Sequence, residues 1–128
     1  MNVVYSNTLS VKDYCRLRKS VEFYDIPEAE VALALQKSDF IIAAEADGDA
    51  VGMARLITDG TQALIMDVVV HPDYQGSGIG RGLMERIIKY IESMKGSRLL
   101  VNLLTDSTKI AFYEKLGFHR AEGMRLLV

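Results

Sequence analysis

Four glycines at alternate positions are the feature of this 128-residue chain that most directly suggests chemistry: Gly76, Gly78, Gly80 and Gly82. They follow a valine-rich apolar run and precede a long amphipathic pattern, so they lie between a strand end and a helix start. Glycines let successive backbone N–H groups turn toward one point, and the positive end of the helix dipole adds to their field. Glycine in a first helical turn also costs on the order of 1 kcal/mol per residue. The loop is therefore predicted to bind an anion rather than to act only as a flexible turn.

Two common phosphate-binding motifs do not fit this loop. The dinucleotide fingerprint G-x-G-x-x-G fails because its third glycine position holds Arg81 counted from Gly76, and Leu83 counted from Gly78. The phosphate loop G-x-x-x-x-G-K-S/T fails because the chain contains no Gly-Lys-Ser/Thr sequence. Both motifs also normally follow a strand of a parallel sheet, whereas this loop follows three predicted antiparallel strands.

The composition excludes several other classes of site. Fifteen Lys and Arg against seventeen Asp and Glu give a net charge of −2, which argues against a general nucleic-acid binder. Cys15 is the only cysteine, so an intrachain disulfide and a cysteine-based zinc site are excluded, and two histidines make a metal site unexpected. With no apolar run of membrane-spanning length and no signal-peptide pattern, we expect a cytoplasmic protein without a membrane partner.

The elements that must position the loop follow from hydrophobic periodicity and turn signals. Asp47-Gly48 and Asp59-Gly60 separate three apolar runs, which predicts an antiparallel meander because type I′ turns need positive φ. The predicted elements, in chain order, are a strand over 2–6, helices over 11–22 and 28–37, strands over 40–46, 50–58 and 63–70, a helix over 80–94, a strand over 97–104, a helix over 107–116, and short strands over 118–121 and 124–128.

This order, β-α-α-β-β-β-α-β-α-β-β, predicts an α/β fold of the α+β type that forms one domain over residues 1–128. The strand–helix–strand segment over 63–104 requires a right-handed crossover between parallel strands. We therefore expect a mixed, mostly antiparallel sheet of about six to seven strands, with helices on both faces.

The motifs around the glycine loop resemble those of one enzyme family. Gln75-Gly76-Ser77-Gly78-Ile79-Gly80 resembles the R/Q-x-x-G-x-G/A pyrophosphate loop of the GCN5-related N-acetyltransferases, the GNAT superfamily. Val68-Val69-Val70-His71-Pro72 resembles the strand that precedes this loop in the family. Ala111-Phe112-Tyr113-Glu114-Lys115-Leu116-Gly117-Phe118 resembles the family's second hallmark, a helix carrying a tyrosine followed by Leu-Gly-Phe.

The resemblance implies acetyl-coenzyme A as co-substrate, without a metal. It implies that the loop's backbone N–H groups hold the pyrophosphate, and that two parallel strands ending near Val70 and Leu104 splay apart to admit the pantetheine arm. The arm's amides would pair with the open strand edge, with the Val68 N–H near the acetyl carbonyl to stabilise the oxyanion. The implied cofactor-binding residues are Val68, Val69, Val70, Gln75, Gly76, Ser77, Gly78, Ile79, Gly80 and Arg81.

Two residues are predicted to be catalytic. Tyr113 matches the family's tyrosine that protonates or hydrogen-bonds the leaving thiolate, although packing in the core is its alternative role. Asp67 lies within an apolar strand and is the foremost candidate for the base that deprotonates the amine. A structural role for Asp67, paired with a basic residue away from the cleft, stays open. Other acidic candidates for the base are Glu22, Asp25 and Glu45.

The identity of the acceptor is the largest open question. The leading hypothesis is transfer of the acetyl group to a primary amine of a small molecule, in which the amine attacks the thioester directly within a ternary complex. A protein or peptide N-acetyltransferase and a non-catalytic acyl-coenzyme A sensor remain alternatives. Asp106 and Lys109 replace an Asn and an Ala that many family members carry, and Lys109 is a candidate phosphate contact. The predicted C-terminal edge suggests a homodimer.

Overall fold

The computed structural model describes residues 1–94, 96 and 98–128 of the chain. The elements in this part of the chain are β1 (Val4–Ser6), α1 (Val11–Ser20), α2 (Glu28–Lys37), β2 (Phe40–Ala46), β3 (Asp49–Thr58), β4 (Gln62–Val70), α3 (Ile79–Ser93), β5 (Leu100–Asn102) and α4 (Ile110–Glu114), with 3-10 turns at Pro72–Tyr74 and Ser107–Lys109. The Ser10 side chain caps α1 by accepting from the Asp13 N–H at 3.0 Å, as the sequence pattern predicts.

The sheet has the strand order β1-β2-β3-β4-β5 and is antiparallel except for the pair β4–β5. Asp47 and Gly48 both have positive φ, 54° and 84°, which confirms the predicted tight turn between β2 and β3. The turn after β3 is one residue longer. There the Asp59 carboxylate accepts from both N–H and Oγ1 of Thr61, which lowers the pKa of Asp59 to about 2.

Helices cover both faces of the sheet, as predicted. On one face, α3 packs Leu83 and Ile87 against Leu56 and Ile65 of the strands. On the other face, α1 and α2 enclose a second cluster that consists of Tyr14, Leu17, Val31, Ala50, Met53 and Val69. Burial of this apolar surface, at about 25 cal/mol per Å², is the main stabilising contribution to the arrangement.

A β-bulge interrupts the pairing of β3 with β4. Met53 pairs with Val69 and Arg55 pairs with Met66, so two residues of β4, Asp67 and Val68, lie opposite one residue of β3. Asp67 adopts φ +55°, a left-handed conformation that aspartate tolerates better than most side chains. Since no glycine marks the position, the bulge is not evident in the sequence.

The C-terminal third differs from the prediction. The sheet has five strands rather than six or seven, because the predicted strands over 118–121 and 124–128 do not form. Every side chain from 119 to 128 is exposed, and Leu126-Leu127-Val128 does not alternate, so no face of this segment has a buried partner. Strand β5 covers only Leu100–Asn102 of the predicted 97–104, of which Ser97 lies outside the described residues.

The helix predicted over 107–116 is also divided. Asp106 caps a 3-10 turn by accepting from the Thr108 N–H at 2.9 Å, and α4 begins only at Ile110. Across the described ranges, no helix combines the length and apolar character needed to cross a membrane.

Candidate active site

A cavity of about 510 Å³ lies between the end of β4, the glycine loop and α4. We call it the glycine-loop cavity. It is lined by Val68, Val70, Tyr74, Gln75, Gly76, Gly78, Ile79, Gly80, Arg81, Thr108, Lys109, Phe112, Tyr113, Lys115 and Leu116. All three segments that carry the family resemblance therefore line one cavity, although α3 and β5 separate the last of them from the other two.

The glycine loop is held by its own side chains. Gln75 Nε2 donates to the Val70 carbonyl at 2.9 Å, and Ser77 Oγ donates to the Tyr74 carbonyl at 2.6 Å. The Gln75 N–H donates to the Pro72 carbonyl at 3.4 Å. Of the residues predicted to hold the anion, Gln75 thus uses its side chain to fix the loop to the end of β4, and Ser77 uses its side chain to fix the loop to the 3-10 turn.

The backbone N–H groups from Gly76 to Arg81 are available to a ligand. Gly76 and Gly78 have φ +80° and +86°, and Gly78 is the N-cap of α3. Among the described residues, none accepts a hydrogen bond from the N–H groups of Gly76, Ser77 or Gly78, and the first-turn N–H groups of a helix have no partner within it. Together with the helix dipole, this arrangement is suited to an anion.

Three cationic side chains add positive charge around this loop. Arg81, Lys109 and Lys115 all line the glycine-loop cavity. The side chain of Arg81 is 72% exposed, and its Nε lies 3.8 Å from Glu85 Oε1, so it remains free to turn toward a bound anion. Sequence reasoning missed Lys115, because a lysine on an amphipathic helix is normally only a solvent-exposed residue.

The parallel strands separate beyond three pairs. Gln62, Ala63 and Leu64 of β4 pair with β5, whereas β4 continues to Val70 without a partner on this side among the described residues. The splayed parallel pair predicted from the sequence is therefore present. Val68 and Val70 lie on the α3 face, and Val69 is buried on the opposite face, so Val69 offers a ligand only its backbone.

The gap between the strands opens into a second cavity of about 500 Å³, which we call the strand cavity. It is lined by Phe23, Leu64, Ile65, Met66, Asp67, Val68, Leu103, Leu104, Thr105, Asp106, Lys109, Tyr113 and Arg125. The two cavities share Val68, Lys109 and Tyr113. A ligand in each would thus meet at the open edge of β4.

Tyr113 lies at this junction with only 7% of its surface exposed. Its ring makes edge contacts with Phe112 and Phe118 at centroid distances of 4.9 and 5.9 Å. Burial, and secondarily the charge of Asp106, raises the pKa of Tyr113 to about 12. At neutral pH the phenol is therefore protonated, so its O–H is present as a donor and it does not act as a base.

Asp67 lies in a buried cluster of opposite charges. Its Oδ1 accepts from Arg18 Nη1 at 2.5 Å, and its Oδ2 accepts from Tyr14 Oη at 2.6 Å and Arg55 Nε at 2.8 Å. The Asp67 side chain is 8% exposed. Burial and the hydrogen bond to Asp67 raise the pKa of Tyr14 to about 12. With its oxygens engaged by three donors, Asp67 has the basic partners of the structural alternative, and it also lines the strand cavity.

The remaining polar candidates lie apart from the junction. Glu22, Asp25 and Glu45 line neither cavity. His71 Nδ1 accepts from the Asp73 N–H at 3.1 Å and so caps the turn before the glycine loop. Within the described ranges, no group of three or more His, Cys, Asp or Glu side chains is arranged to hold a metal ion.

Comparison with known proteins identifies the family. The sequence matches the acetyltransferase (GNAT) domain family over residues 37–120. An N-acetyltransferase of Porphyra purpurea, ycf52, is 37% identical over 124 residues, 91% of this chain and 70% of that protein. Two further proteins of that name are covered over 61% and 64% of their length, so the chain spans about two thirds of these relatives.

Two other matches extend the comparison. Histone acetyltransferase TAP1 from Glycine max is 39% identical over 77 residues, which are 59% of this chain and 32% of that protein. The crystal structure of a probable acetyltransferase from meticillin-resistant Staphylococcus aureus superposes with a TM-score of 0.88 at 29% identity, covering 99% of this chain and 98% of that one. On the family match and the Porphyra purpurea relative, the chain belongs to the GNAT acetyltransferase family.

Proposed function

We propose that this acetyltransferase moves the acetyl group of acetyl-coenzyme A to a primary amine of a small molecule, within a ternary complex. The observation that carries the proposal is the meeting of two cavities at Val68 and Tyr113, one of them built around the glycine loop. Cavities of 300 to 1,000 Å³ are typical of small-molecule sites, and both fall in that range.

The glycine-loop cavity suits the donor. In this proposal the pyrophosphate binds the N–H groups of Gly76–Arg81, and Arg81, Lys109 and Lys115 neutralise its charge. The pantetheine arm lies along the unpaired edge of β4 at Val68 and Val70, where its amides bond to the backbone as an added strand would. The structure supports this arrangement through the free N–H groups, the cations and the splayed strands.

The proposed chemistry at the junction follows from the protonation and charge of the residues around it. The neutral amine forms a bond to the acetyl carbon, the carbon–sulfur bond breaks, and the leaving sulfur receives a proton. Tyr113 is the proposed proton donor because it is protonated and faces both cavities. The Val68 N–H is the proposed donor to the oxyanion. Since Asp67 is held by Arg18 and Arg55, we propose that solvent water, rather than this carboxylate, removes the amine proton.

A protein amine is the second candidate acceptor. The likeness to a histone acetyltransferase over 77 residues favours it, and a non-catalytic sensor is the remaining alternative. A thiol-release assay over small amines and peptides separates the three, because a sensor binds the donor without releasing thiol.

We further propose a homodimer and a cytoplasmic location. The dimer is supported by Leu100 on the edge strand β5, 56% exposed, and by the exposed apolar residues of the C-terminal segment, which a second copy would cover. The location is supported by a single free cysteine, Cys15.

The donor site is tested with Gly78→Val. Acetyl-coenzyme A at about 100 times its Kd should stabilise the wild-type fold by about 2.7 kcal/mol, or roughly 10 °C in Tm. Valine at φ +86° distorts the loop, so the variant should lose this rise. Gly48→Val is the matched control, because Gly48 has φ +84° and equally open surroundings but lies in the β2–β3 turn. A rise retained in Gly78→Val and lost in Gly48→Val would contradict the assignment.

A further inference from the structure

The walls of the strand cavity combine apolar residues from three separate parts of the chain. Phe23 follows α1, Leu64 and Met66 belong to β4, and Leu104 follows β5. Phe23, Leu64 and Leu104 are 43%, 38% and 63% exposed, although each is large and apolar. Apolar groups that converge on one cavity while remaining open to solvent are typical of a ligand-binding surface.

The end of this cavity near Tyr113 is polar. Asp106 lies close enough for its charge to raise the pKa of Tyr113, and hydrogen bonds from Thr108 lower the pKa of Asp106, which keeps it ionised. The other carboxylate in the lining, Asp67, is neutralised by Arg18 and Arg55. Lys109 and Arg125 also line the cavity, so its polar end carries charges of both signs.

We infer that the acceptor is a primary amine carried on an aromatic or branched apolar group. Its nitrogen lies at the junction beside Tyr113, and its apolar group packs on Phe23, Leu64 and Leu104. This inference rests on the proposed function and specifies its substrate. An ammonium ion that enters first gives one proton to water, because only the neutral amine has a free lone pair. Its nitrogen then bonds to the acetyl carbon of acetyl-coenzyme A, and the thiolate leaves with the electron pair of the carbon–sulfur bond and takes a proton from Tyr113. The nitrogen gives up one further proton to water, and Tyr113 regains its proton from solvent.

The same walls disfavour hydroxylated or polycationic amines. A hydroxyl or second ammonium group packed on Phe23, Leu64 and Leu104 would lose water without gaining a hydrogen-bond partner from these three side chains. An apolar group gains by displacing that water, since each buried methylene favours binding. Every primary amine offers the same reacting nitrogen. We therefore expect the cavity to distinguish amines by whether the group attached to that nitrogen is apolar or polar.

The test measures kcat/KM by thiol release from acetyl-coenzyme A with the full chain. The amines are 2-phenylethylamine, 3-methylbutylamine, ethanolamine and spermidine, with a lysine-containing peptide as a fifth acceptor. We expect 2-phenylethylamine to exceed ethanolamine by about 30- to 100-fold, the effect of burying an aromatic ring.

A pair of exposed leucines provides the matched variants. Leu104→Asn should reduce the ratio of 2-phenylethylamine to ethanolamine by about 3- to 10-fold, because it replaces part of the apolar wall. Leu33→Asn, on α2 and outside both cavities with 50% exposure, should leave the ratio unchanged.

The outcomes separate this inference from the proposed function. Ethanolamine, spermidine or the peptide as the best acceptor would overturn the apolar-amine inference while leaving acetyl transfer intact. A ratio unchanged in Leu104→Asn would overturn the placement of the apolar group. Absence of thiol release with every acceptor, and of any Tm rise with acetyl-coenzyme A, would overturn the proposed function and the inference with it.

Discussion

Replacing the buried carboxylate of Asp67 by an amide tests whether this residue supports the fold or the reaction. Asp67→Asn keeps the shape of the side chain and suits φ +55°, because asparagine also tolerates the left-handed region. The variant leaves Arg18 and Arg55, whose side chains are 9% and 14% exposed, without an opposing charge. Breaking a buried ion pair by removing one partner costs about 3 to 5 kcal/mol.

For a chain of 128 residues this loss corresponds to a fall in Tm of roughly 10 to 20 °C. Urea unfolding followed by circular dichroism measures the free energy directly, and thiol release per folded molecule measures the reaction. The control is Asp13→Asn, since Asp13 forms an exposed pair with Arg16 at 3.1 Å and should lose at most about 1 kcal/mol.

Two results together would refute the reasoning. The free energy of unfolding of Asp67→Asn would lie within about 1 kcal/mol of the wild-type value, and its rate of acetyl transfer per folded molecule would be lower by 100-fold or more. The role of Asp67 as the base would then be favoured, and the loss should shrink at high pH, where more of the amine is already neutral. A large loss of stability with unchanged turnover per folded molecule supports the structural role.

Three further perturbations have expected outcomes. Tyr113→Phe retains the ring and should lower turnover by roughly one to four powers of ten with little change in donor affinity, and equal turnover would assign Tyr113 to packing alone. Gly82→Ala places a methyl group on the hydroxyl and ring of Tyr5, so Tm should fall by an amount equivalent to about 1 to 3 kcal/mol, whereas the open Gly123→Ala should not change it. The pKa of Tyr14 rises from 10.0 to about 12 on folding, so its contribution to stability is complete below pH 10 and is lost as the pH rises through 12. Urea unfolding should therefore show a smaller alkaline loss in Tyr14→Phe, and an identical loss would contradict the pKa shift.

Elements that depend on neighbouring residues were predictable from the sequence. The Asp47-Gly48 turn, the Ser10 cap and the glycine loop each need particular backbone dihedrals or a hydrogen bond within a few residues. These requirements select residue types directly, so the pattern is visible in one sequence. The helical and strand periods around them then define the mixed sheet and the strand–helix–strand unit that brings the glycine loop toward Tyr113.

The hydrogen-bond partners of Asp67 could not be predicted from local sequence patterns. Tyr14, Arg18 and Arg55 are 53, 49 and 12 positions away, on α1 and β3, and they meet the carboxylate only when the helix packs across the sheet. The bulge in β4 adds to the difficulty, because it depends on the register with β3.

The end of the chain shows the same distinction between local pattern and tertiary partner. The residues over 118–128 include apolar types found in strands, yet a strand forms only beside an edge whose N–H and C=O groups it can pair. By itself, the sequence determined the glycine loop, the tyrosine block and the order of the main elements, because these depend on local conformation. Only the tertiary structure decided that Asp67 joins an ion-pair cluster, that two cavities meet at Tyr113 and that five strands form the sheet, because each depends on contacts between distant segments.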